Sequence, residues 1–299
     1  MLEVISHLMI FIIIILIGII FKRIGIFSKK DAQVLSHIII YLTLPCALLS
    51  NANSIHISPL TFKMIMIAIV TNIVLAIVAY FMAPALKKAP YMLCASGYNI
   101  GNFVLPFIQL FFPGTGVAYL CMFDIGNSIM GLGATYVIAN NLTSKGKMDF
   151  KSIIKRMVSS IPFDTYMIML ILAIFSIKLP TYLLTVTNTI GAGNGFLSML
   201  MIGLMIEPHL PKGDIKDVIK IILIRIIGNI ALVVLIMNFI PLPKLASKIL
   251  AISLFAPVTS VAPIFSQMCH YDGDIPAVTS SISIIVSIIE IVVVMMILG

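Results

Sequence analysis

The chain has 299 residues, of which 61% are hydrophobic and only 10% are charged. Soluble domains carry about 25% charged residues, so this composition excludes a water-soluble globular protein. The net charge of +8 comes from Lys and Arg in short connections with few aromatic residues nearby. This arrangement favours anionic lipid headgroups over nucleic acid as partners. The four cysteines lack metal or redox spacing, so we expect packing roles and no cofactor.

Apolar runs of about twenty residues recur along the chain, and each is long enough to cross roughly 30 Å of hydrocarbon as a helix. The first run ends at Lys22 and Arg23 without a small-residue cleavage site, which indicates a retained helix rather than a signal peptide. Breaks at Pro, Gly and charged residues predict ten membrane segments. We number them 1 to 10: 4–22, 31–51, 60–83, 91–112, 116–139, 161–178, 183–206, 216–240, 247–269 and 276–298.

Basic residues are distributed unequally between the two sides that these segments define. Fourteen of the nineteen Lys and Arg residues fall on one side, four fall on the other, and Arg225 lies within segment 8. Cytoplasmic connections carry the excess of Lys and Arg in membrane proteins. The pattern therefore predicts a multi-pass protein of the plasma membrane with both termini outside.

The longest basic connection, 140–160, divides the chain into a first half, 1–139, and a second half, 161–299. Each half holds five segments. Because five is odd, the second half enters the membrane in the opposite orientation. We therefore predict an all-α protein built from two inverted five-segment repeats.

Segments 4 and 9 are interrupted at corresponding positions. Matched interruptions in two halves are the best sequence indication of a transporter binding site. Half-helices that begin after each proline direct free N–H groups towards an anionic or polar ligand. The alternative is that the prolines only kink packed helices. The interrupting residues are Asn99, Asn102 and Pro106 in segment 4, and Pro257, Thr259 and Ser260 in segment 9.

Asp124, Arg225 and Glu290 lie well inside their membrane segments, where a charge costs roughly 2.5 to 3.5 kcal/mol. Asp124 shares a helical face with Asn127, and Glu290 shares one with several serines. For both acids, a role in substrate binding or proton coupling stands beside a structural hydrogen bond. Arg225 has three alternatives: it neutralises a bound anion, extends to the cytoplasmic surface, or pairs with a buried acid.

Five short motifs occur in order along the chain: Gly25, Leu44-Pro45, 102–106, Phe123-Asp124 with Asn127, and 257–267. Together they resemble the auxin efflux carrier family, which includes bacterial relatives of the plant PIN transporters within the bile-acid/arsenite transporter-like superfamily. The resemblance implies a scaffold part, a transport part and elevator-like alternating access. It further implies that Pro106 and Pro257 lie where segments 4 and 9 cross, and that Asn102 and the region of Asp124 and Asn127 face a small carboxylate.

The chain departs from the plant members because it lacks their long central hydrophilic loop, so auxin itself is not the expected substrate. We predict a secondary transporter, an efflux carrier or permease, of a small organic anion, with Asn99, Asn102 and Asn127 as neutral hydrogen-bonding groups. A sodium-coupled symporter that uses Thr259 and Ser260 is the alternative. An enzyme is not expected, because no H-E-x-x-H or nucleophile motif occurs. Substrate identity, transport direction and homodimer formation stay open.

Overall fold

The structure is a computed structural model that describes residues 2–143, 154, 157–206 and 214–298. This part of the chain forms helices and no strand. Within it, five helices are long and apolar enough to cross a membrane: Lys30–Leu49, Pro59–Met82, Thr115–Leu142, Ile215–Phe239 and Ile275–Leu298. The protein is therefore an all-α membrane protein. Most of the predicted connection 140–160 lies outside the described residues.

The α-helices are numbered in chain order over the described residues. The first eight are α1 Leu2–Arg23, α2 Lys29–Ile38, α3 Leu44–Leu49, α4 Pro59–Met82, α5 Lys88–Ala95, α6 Leu105–Phe111, α7 Thr115–Ile129 and α8 Thr135–Thr143. The others are α9 Ile161–Ile174, α10 Thr181–Gly191, α11 Gly193–Met205, α12 Ile215–Phe239, α13 Lys244–Leu254, α14 Ala262–Met268 and α15 Ile275–Leu298.

Several predicted segments are not single regular helices. A π-helical turn, Ile39–Thr43, joins α2 to α3, and another, Met130–Ala134, joins α7 to α8, so these segments stay continuous. Segment 7 was predicted as one helix but divides at Ala192 into α10 and α11. The flanking glycines explain this division, because glycine is a poor helix former.

The helices pack as two groups, which we call group I and group II. Group I contains α1 to α3 and α9 to α11, and group II contains α4 to α8 and α12 to α15. The strongest contacts within group I join α1 to α11, and those within group II join α4 to α7. The groups meet mainly where α11 packs against α6 and the π-helical turn Ile100–Val104, and where α9 packs against α7.

Glycines allow the closest helix contacts inside each group. A Cβ atom at Gly203 of α11 would collide with the carbonyl oxygen of Ile15 in α1. A Cβ atom at Gly126 of α7 would collide with the carbonyl oxygen of Ile65 in α4. Backbones that approach this closely gain packing contacts that hold membrane helices together.

Lys87 ties the connection before α5 to the start of α12. Its Nζ lies 2.7 Å from Oδ1 of Asp214 and 2.7 Å from Oδ2 of Asp217. Tyr91 also donates to Asp217. The two carboxylates raise the pKa of Lys87 above its ordinary value, because they stabilise its charge. This cluster keeps α5 and α12 together within group II.

Candidate functional site

Two non-helical stretches of chain meet inside group II. One lies between α5 and the π-helical turn Ile100–Val104, and the other connects α13 to α14. Tyr98 and Val258 form an isolated antiparallel bridge, and the N–H of Asn99 donates to the carbonyl oxygen of Pro257 at 2.9 Å. The two stretches thus satisfy part of each other's backbone, as buried chain at membrane depth requires. We call this contact the crossing.

Gly97 occupies the tightest point of the crossing. Its φ angle is +79°, in the left-handed region that favours glycine. A Cβ atom at this position would also lie only 2.8 Å from Cγ2 of Thr259. Both the backbone conformation and the available space therefore require glycine.

Arg225 of α12 lies beside the crossing, and only 4% of the residue is exposed. Its Nη1 donates to the carbonyl oxygens of Cys94, Ala95 and Gly97 at 3.1, 2.8 and 3.1 Å, and its Nη2 donates to that of Ala256 at 2.7 Å. These carbonyls lie at the C-terminal ends of α5 and α13, where helix dipoles are negative. Arg225 therefore caps two helix ends. It does not extend to the membrane surface, and these donors point at backbone rather than at a ligand.

Two asparagine side chains hold the broken backbone of the crossing. Asn127 Oδ1 accepts from the N–H of Tyr98 at 3.0 Å, and its Nδ2 donates to the carbonyl oxygen of Tyr98 at 2.8 Å. Asn72 Oδ1 accepts from the N–H of Gly97 at 2.5 Å. These bonds replace those that an unbroken helix would make. Asn127 was predicted to bind substrate, but its amide is occupied by the chain itself.

Asp124 of α7 joins group II to group I. Its Oδ1 accepts from Nδ2 of Asn127 at 2.7 Å, and its Oδ2 accepts from the hydroxyl of Tyr166 at 2.5 Å. Tyr166 belongs to α9, and both side chains are buried. Each oxygen of the carboxylate therefore has a donor, and the second bond spans the interface between the groups.

A cavity of about 210 Å³ lies beside the crossing, between the two groups. Tyr41, Leu44 and Tyr166 line it from group I. From group II it is lined by six of the predicted site residues: Asn99, Asn102, Asp124, Asn127, Thr259 and Ser260. The structure thus brings these six polar residues together at one small cavity, which we call the first cavity.

The polar groups of the first cavity differ in how they are bonded. Asn99 Nδ2 donates to Ser260 Oγ at 3.0 Å, which joins the two sides of the crossing. Asn102 Oδ1 is enclosed and has no hydrogen-bond partner among the described residues. The helical stretch Ile100–Phe111 begins at this cavity and directs its positive dipole end towards it. Asn102 is therefore the side chain best placed to bind a ligand.

Pro106 and Pro257 do not line the first cavity. Pro106 was predicted to lie at the crossing, but it occupies the first turn of α6, and it lines another cavity with Asn51 and Gln109. Pro263 has the corresponding place at the start of α14. Pro263 is tolerated there because the first turn of a helix has no partner for its N–H. Pro106 instead follows the π-helical turn Ile100–Val104, where the regular α-helical hydrogen bonding is interrupted. Pro257 does lie at the crossing, where it contributes its carbonyl oxygen.

A larger cavity of about 560 Å³ adjoins the first, and Asn99 and Ser260 line both. Its other walls come from α11, α14 and α15 and are mostly apolar, with Met201 and Ile264 among them. Ser280 and Asp274 add polar groups. We call it the second cavity; like the first, it lies between group I and group II.

Glu290 of α15 lines neither cavity. Its Oε1 is enclosed and lacks a hydrogen-bond partner among the described residues. It shares a helical face with Ser283, whose Oγ accepts from the N–H of Val258 at 3.0 Å. The serine face of α15 thus reaches the crossing, but the carboxylate does not belong to the first cavity.

Three residues of the site were not predicted: Asn72, Tyr98 and Tyr166. Asn72 is the single amide within the apolar segment 60–83, so the sequence could have indicated it as a candidate site residue. Tyr98 and Tyr166 carry no such signal, because tyrosine is common in apolar segments of membrane proteins.

The chain matches no model of a known protein family and no curated protein sequence. The resemblance to the auxin efflux carrier family therefore remains a prediction. Function has to be inferred from the geometry of the crossing and its cavities.

Proposed function

We propose that this protein is a secondary transporter, an efflux carrier or permease, that moves a small organic anion across the plasma membrane by elevator-like alternating access. In this proposal the ten segments form two inverted repeats, 1–139 and 161–299, joined by a cytoplasmic connection, with both termini outside. The observation that carries the proposal is a small cavity, lined in part by six polar residues at a helix crossing, between two separately packed helical groups. The resemblance to the auxin efflux carrier family points the same way.

The electrostatics of the crossing favour a bound anion, such as a mono- or dicarboxylate. Arg225 compensates the negative ends of α5 and α13. The positive end of the stretch Ile100–Phe111 stays directed at the first cavity, beside the uncompensated Asn102 amide. Asp124 adds an acidic group to this cavity, but both of its oxygens are covered by donors. A carboxylate ligand would accept hydrogen bonds from the helix N–H groups and from Nδ2 of Asn102, and a hydroxyl group of the same ligand would donate to the enclosed Oδ1 of Asn102.

The arrangement of the groups supports an inward-facing conformation. Ser160 and Pro162 line the first cavity and lie next to the connection 140–160, which is predicted to be cytoplasmic. At the opposite end the groups are joined by hydrogen bonds. Gln109 Nε2 donates to the carbonyl oxygen of Ala47 at 3.4 Å, and the N–H of Gly114 donates to Oδ1 of Asn51 at 3.2 Å. In the transport cycle, group II would carry the crossing past group I and break these bonds.

Uptake by purified protein in liposomes tests the proposal, with labelled malate and a panel of other mono- and dicarboxylates as probes. Asn102→Ala removes one hydrogen bond to a charged ligand, worth about 1.5 kcal/mol, and should lower affinity about tenfold. Asn238→Ala is the matched control, because Asn238 is an exposed residue of α12 that bonds only its own helix. Unchanged uptake by Asn102→Ala would remove the proposed site. Uptake that requires sodium would favour the symporter alternative at Thr259 and Ser260.

A further inference from the structure

One face of α15 carries a row of polar side chains in a mostly apolar helix. Ser280, Ser283, Ser287 and Glu290 follow one another at spacings of three, four and three residues. These spacings place them on one face of a helix. Ser283 and Ser287 are 3% and 2% exposed. The row therefore lies within the protein and covers about 15 Å along the helix axis.

The row begins at the second cavity. Ser280 lines this cavity, and its Oγ is enclosed without a hydrogen-bond partner among the described residues. Asp274 lines the same cavity and is exposed, at the predicted cytoplasmic end of α15. Water that enters there can hydrogen-bond to Ser280, because an unpaired buried hydroxyl is a favourable water site.

The row ends at Glu290, whose Oε1 is enclosed and has no hydrogen-bond partner in the described part of the chain. A charged side chain within a membrane helix costs roughly 2.5 to 3.5 kcal/mol even on insertion-based scales. Because Oε1 has no donor among the described residues, only the positive charge of Arg225 offsets part of that cost. Binding a proton removes the charge, and intramembrane acids of this kind occur in the proton relays of pumps and transporters.

The charges around Glu290 do not supply the missing donor. Arg225 acts on Glu290 electrostatically, but its guanidinium donates to four backbone carbonyls at the crossing. Helix α15 packs against α1, α5, α12, α13 and α14. Their described titratable and charged side chains are Lys22 and Arg23 of α1, Lys88, Tyr91 and Cys94 of α5, Lys216, Asp217, Lys220 and Arg225 of α12, and Lys244 and Lys248 of α13, with Cys269 directly after α14.

Asp124 offers a useful contrast. It is also a carboxylate within the membrane, but Tyr166 and Asn127 donate to its two oxygens. Its acceptors are therefore satisfied without a proton. Glu290 lacks such donors, and it lies on a polar row that leads to a cavity. Of the two acids, Glu290 is the one built to exchange a proton.

We propose that Glu290 binds a proton that reaches it from the second cavity along the face of α15 that carries Ser280 and Ser287, and that this proton accompanies the transported anion. Ser283 lies between them on this face, and its hydroxyl donates to the carbonyl oxygen of Ser280 and accepts from the N–H of Val258. This inference rests on the proposed function. The Glu290 carboxylate takes one proton from cavity water in the inward-facing conformation and returns it to water on the other side after group II has moved. One proton crosses with each anion, and no bond other than O–H forms or breaks.

Infrared difference spectroscopy tests the proton site without any transport assay. Purified protein is titrated from mildly acidic to mildly alkaline pH, and the C=O stretching band of protonated carboxyl groups is followed. We expect a band that is lost in Glu290→Gln and retained in Asp124→Asn. Spectra of the unsubstituted protein and Glu290→Gln that superimpose over the whole titration would overturn the assignment.

Coupling is tested in liposomes with labelled malate and an imposed pH gradient. One pH unit should drive about tenfold accumulation if one proton moves with each anion. Glu290→Gln should lose this accumulation but keep exchange of labelled for unlabelled malate, and Glu290→Asp should restore it. Ser287→Ala should slow it severalfold. Thr189→Val is the control, because Thr189 is exposed on α10 and bonds only its own helix.

The outcomes separate the two proposals. Gradient-driven accumulation by Glu290→Gln equal to that of the unsubstituted protein would refute the coupling role. Absence of transport for every tested acid in the unsubstituted protein would refute the proposed function. The infrared titration would still decide whether Glu290 binds a proton.

Discussion

Arg225→Met removes the guanidinium that caps α5 and α13 but keeps a long unbranched side chain. Four carbonyl oxygens at the crossing then lose their donor. Removing one partner of a buried charged network costs about 3 to 5 kcal/mol, because the remaining groups stay desolvated. We expect a loss of that size in the free energy of unfolding.

Arg225→Lys provides the graded comparison. Lysine keeps the positive charge, but its ammonium is a compact point charge rather than a planar fork. It can reach fewer of the four carbonyls, which lie on two separate stretches of chain. Two lost hydrogen bonds at a net 0.5 to 1.5 kcal/mol each predict a loss of about 1 to 3 kcal/mol.

Unfolding in detergent can be followed with a thiol-reactive fluorogenic dye, because Cys94, Cys121 and Cys269 are buried and react only after unfolding. Lys216→Met is the control on the same helix, since Lys216 is exposed and a surface change there should stay within about 0.5 kcal/mol. Stability of Arg225→Met equal to that of the control would refute the capping role. Transport lost without any loss of stability would instead place Arg225 at the bound anion.

Three further substitutions test other contacts by the same dye assay. Gly97→Ala should lower the free energy of unfolding by about 1 to 2 kcal/mol or more, because its φ is positive and its Cβ would meet Thr259. Gly193→Ala is the control, because a Cβ at that position has open space around it. Equal stability of the two variants would contradict the crossing geometry. Gly203→Ala should separate α1 from α11 and lower stability more than Gly193→Ala does. Tyr166→Phe leaves Asp124 Oδ2 without its donor, at a cost of about 1 to 3 kcal/mol, and no change in either stability or uptake would show that this bond is not formed.

The sequence predicted the matched interruptions of segments 4 and 9 because proline, asparagine and serine are unusual in the middle of apolar runs. It predicted the positions of the breaks only approximately. Pro263 lies at the start of a half-helix, and Pro106 lies after the π-helical turn of the stretch Ile100–Phe111. The first break lies at Ser96 to Asn99, which contains no proline. A helix can break where other side chains hydrogen-bond the backbone groups that the break leaves unpaired. Those partners, Asn72 and Asn127, lie on other helices.

The roles of Arg225 and Asn127 were not predictable for the same reason. Both are polar residues in apolar segments, and sequence reading treats such residues as ligand-binding candidates. Whether such a side chain bonds a ligand or the backbone depends on which unbonded backbone groups the fold places beside it. Arg225 is separated from Cys94 by 131 residues in the chain, and no local pattern joins them. Asn99, Asn102, Thr259 and Ser260 were placed at one cavity because they flank the breaks directly.

Movement of group II past group I is the central claim, and cross-linking the two groups tests it most directly. Asn51 belongs to the end of segment 2 and Pro113 to the connection between α6 and α7, and both line one cavity at the predicted outer side. The pair Asn51→Cys and Pro113→Cys, in a chain whose four natural cysteines are replaced, can be joined by a short bifunctional methanethiosulfonate reagent. This reagent forms one disulfide with each thiol, with sulfinate as the leaving group, so a reductant can cleave the cross-link. We predict that cross-linking abolishes malate uptake into liposomes and that a reductant restores it. Full uptake by the cross-linked protein would contradict the moving-group account.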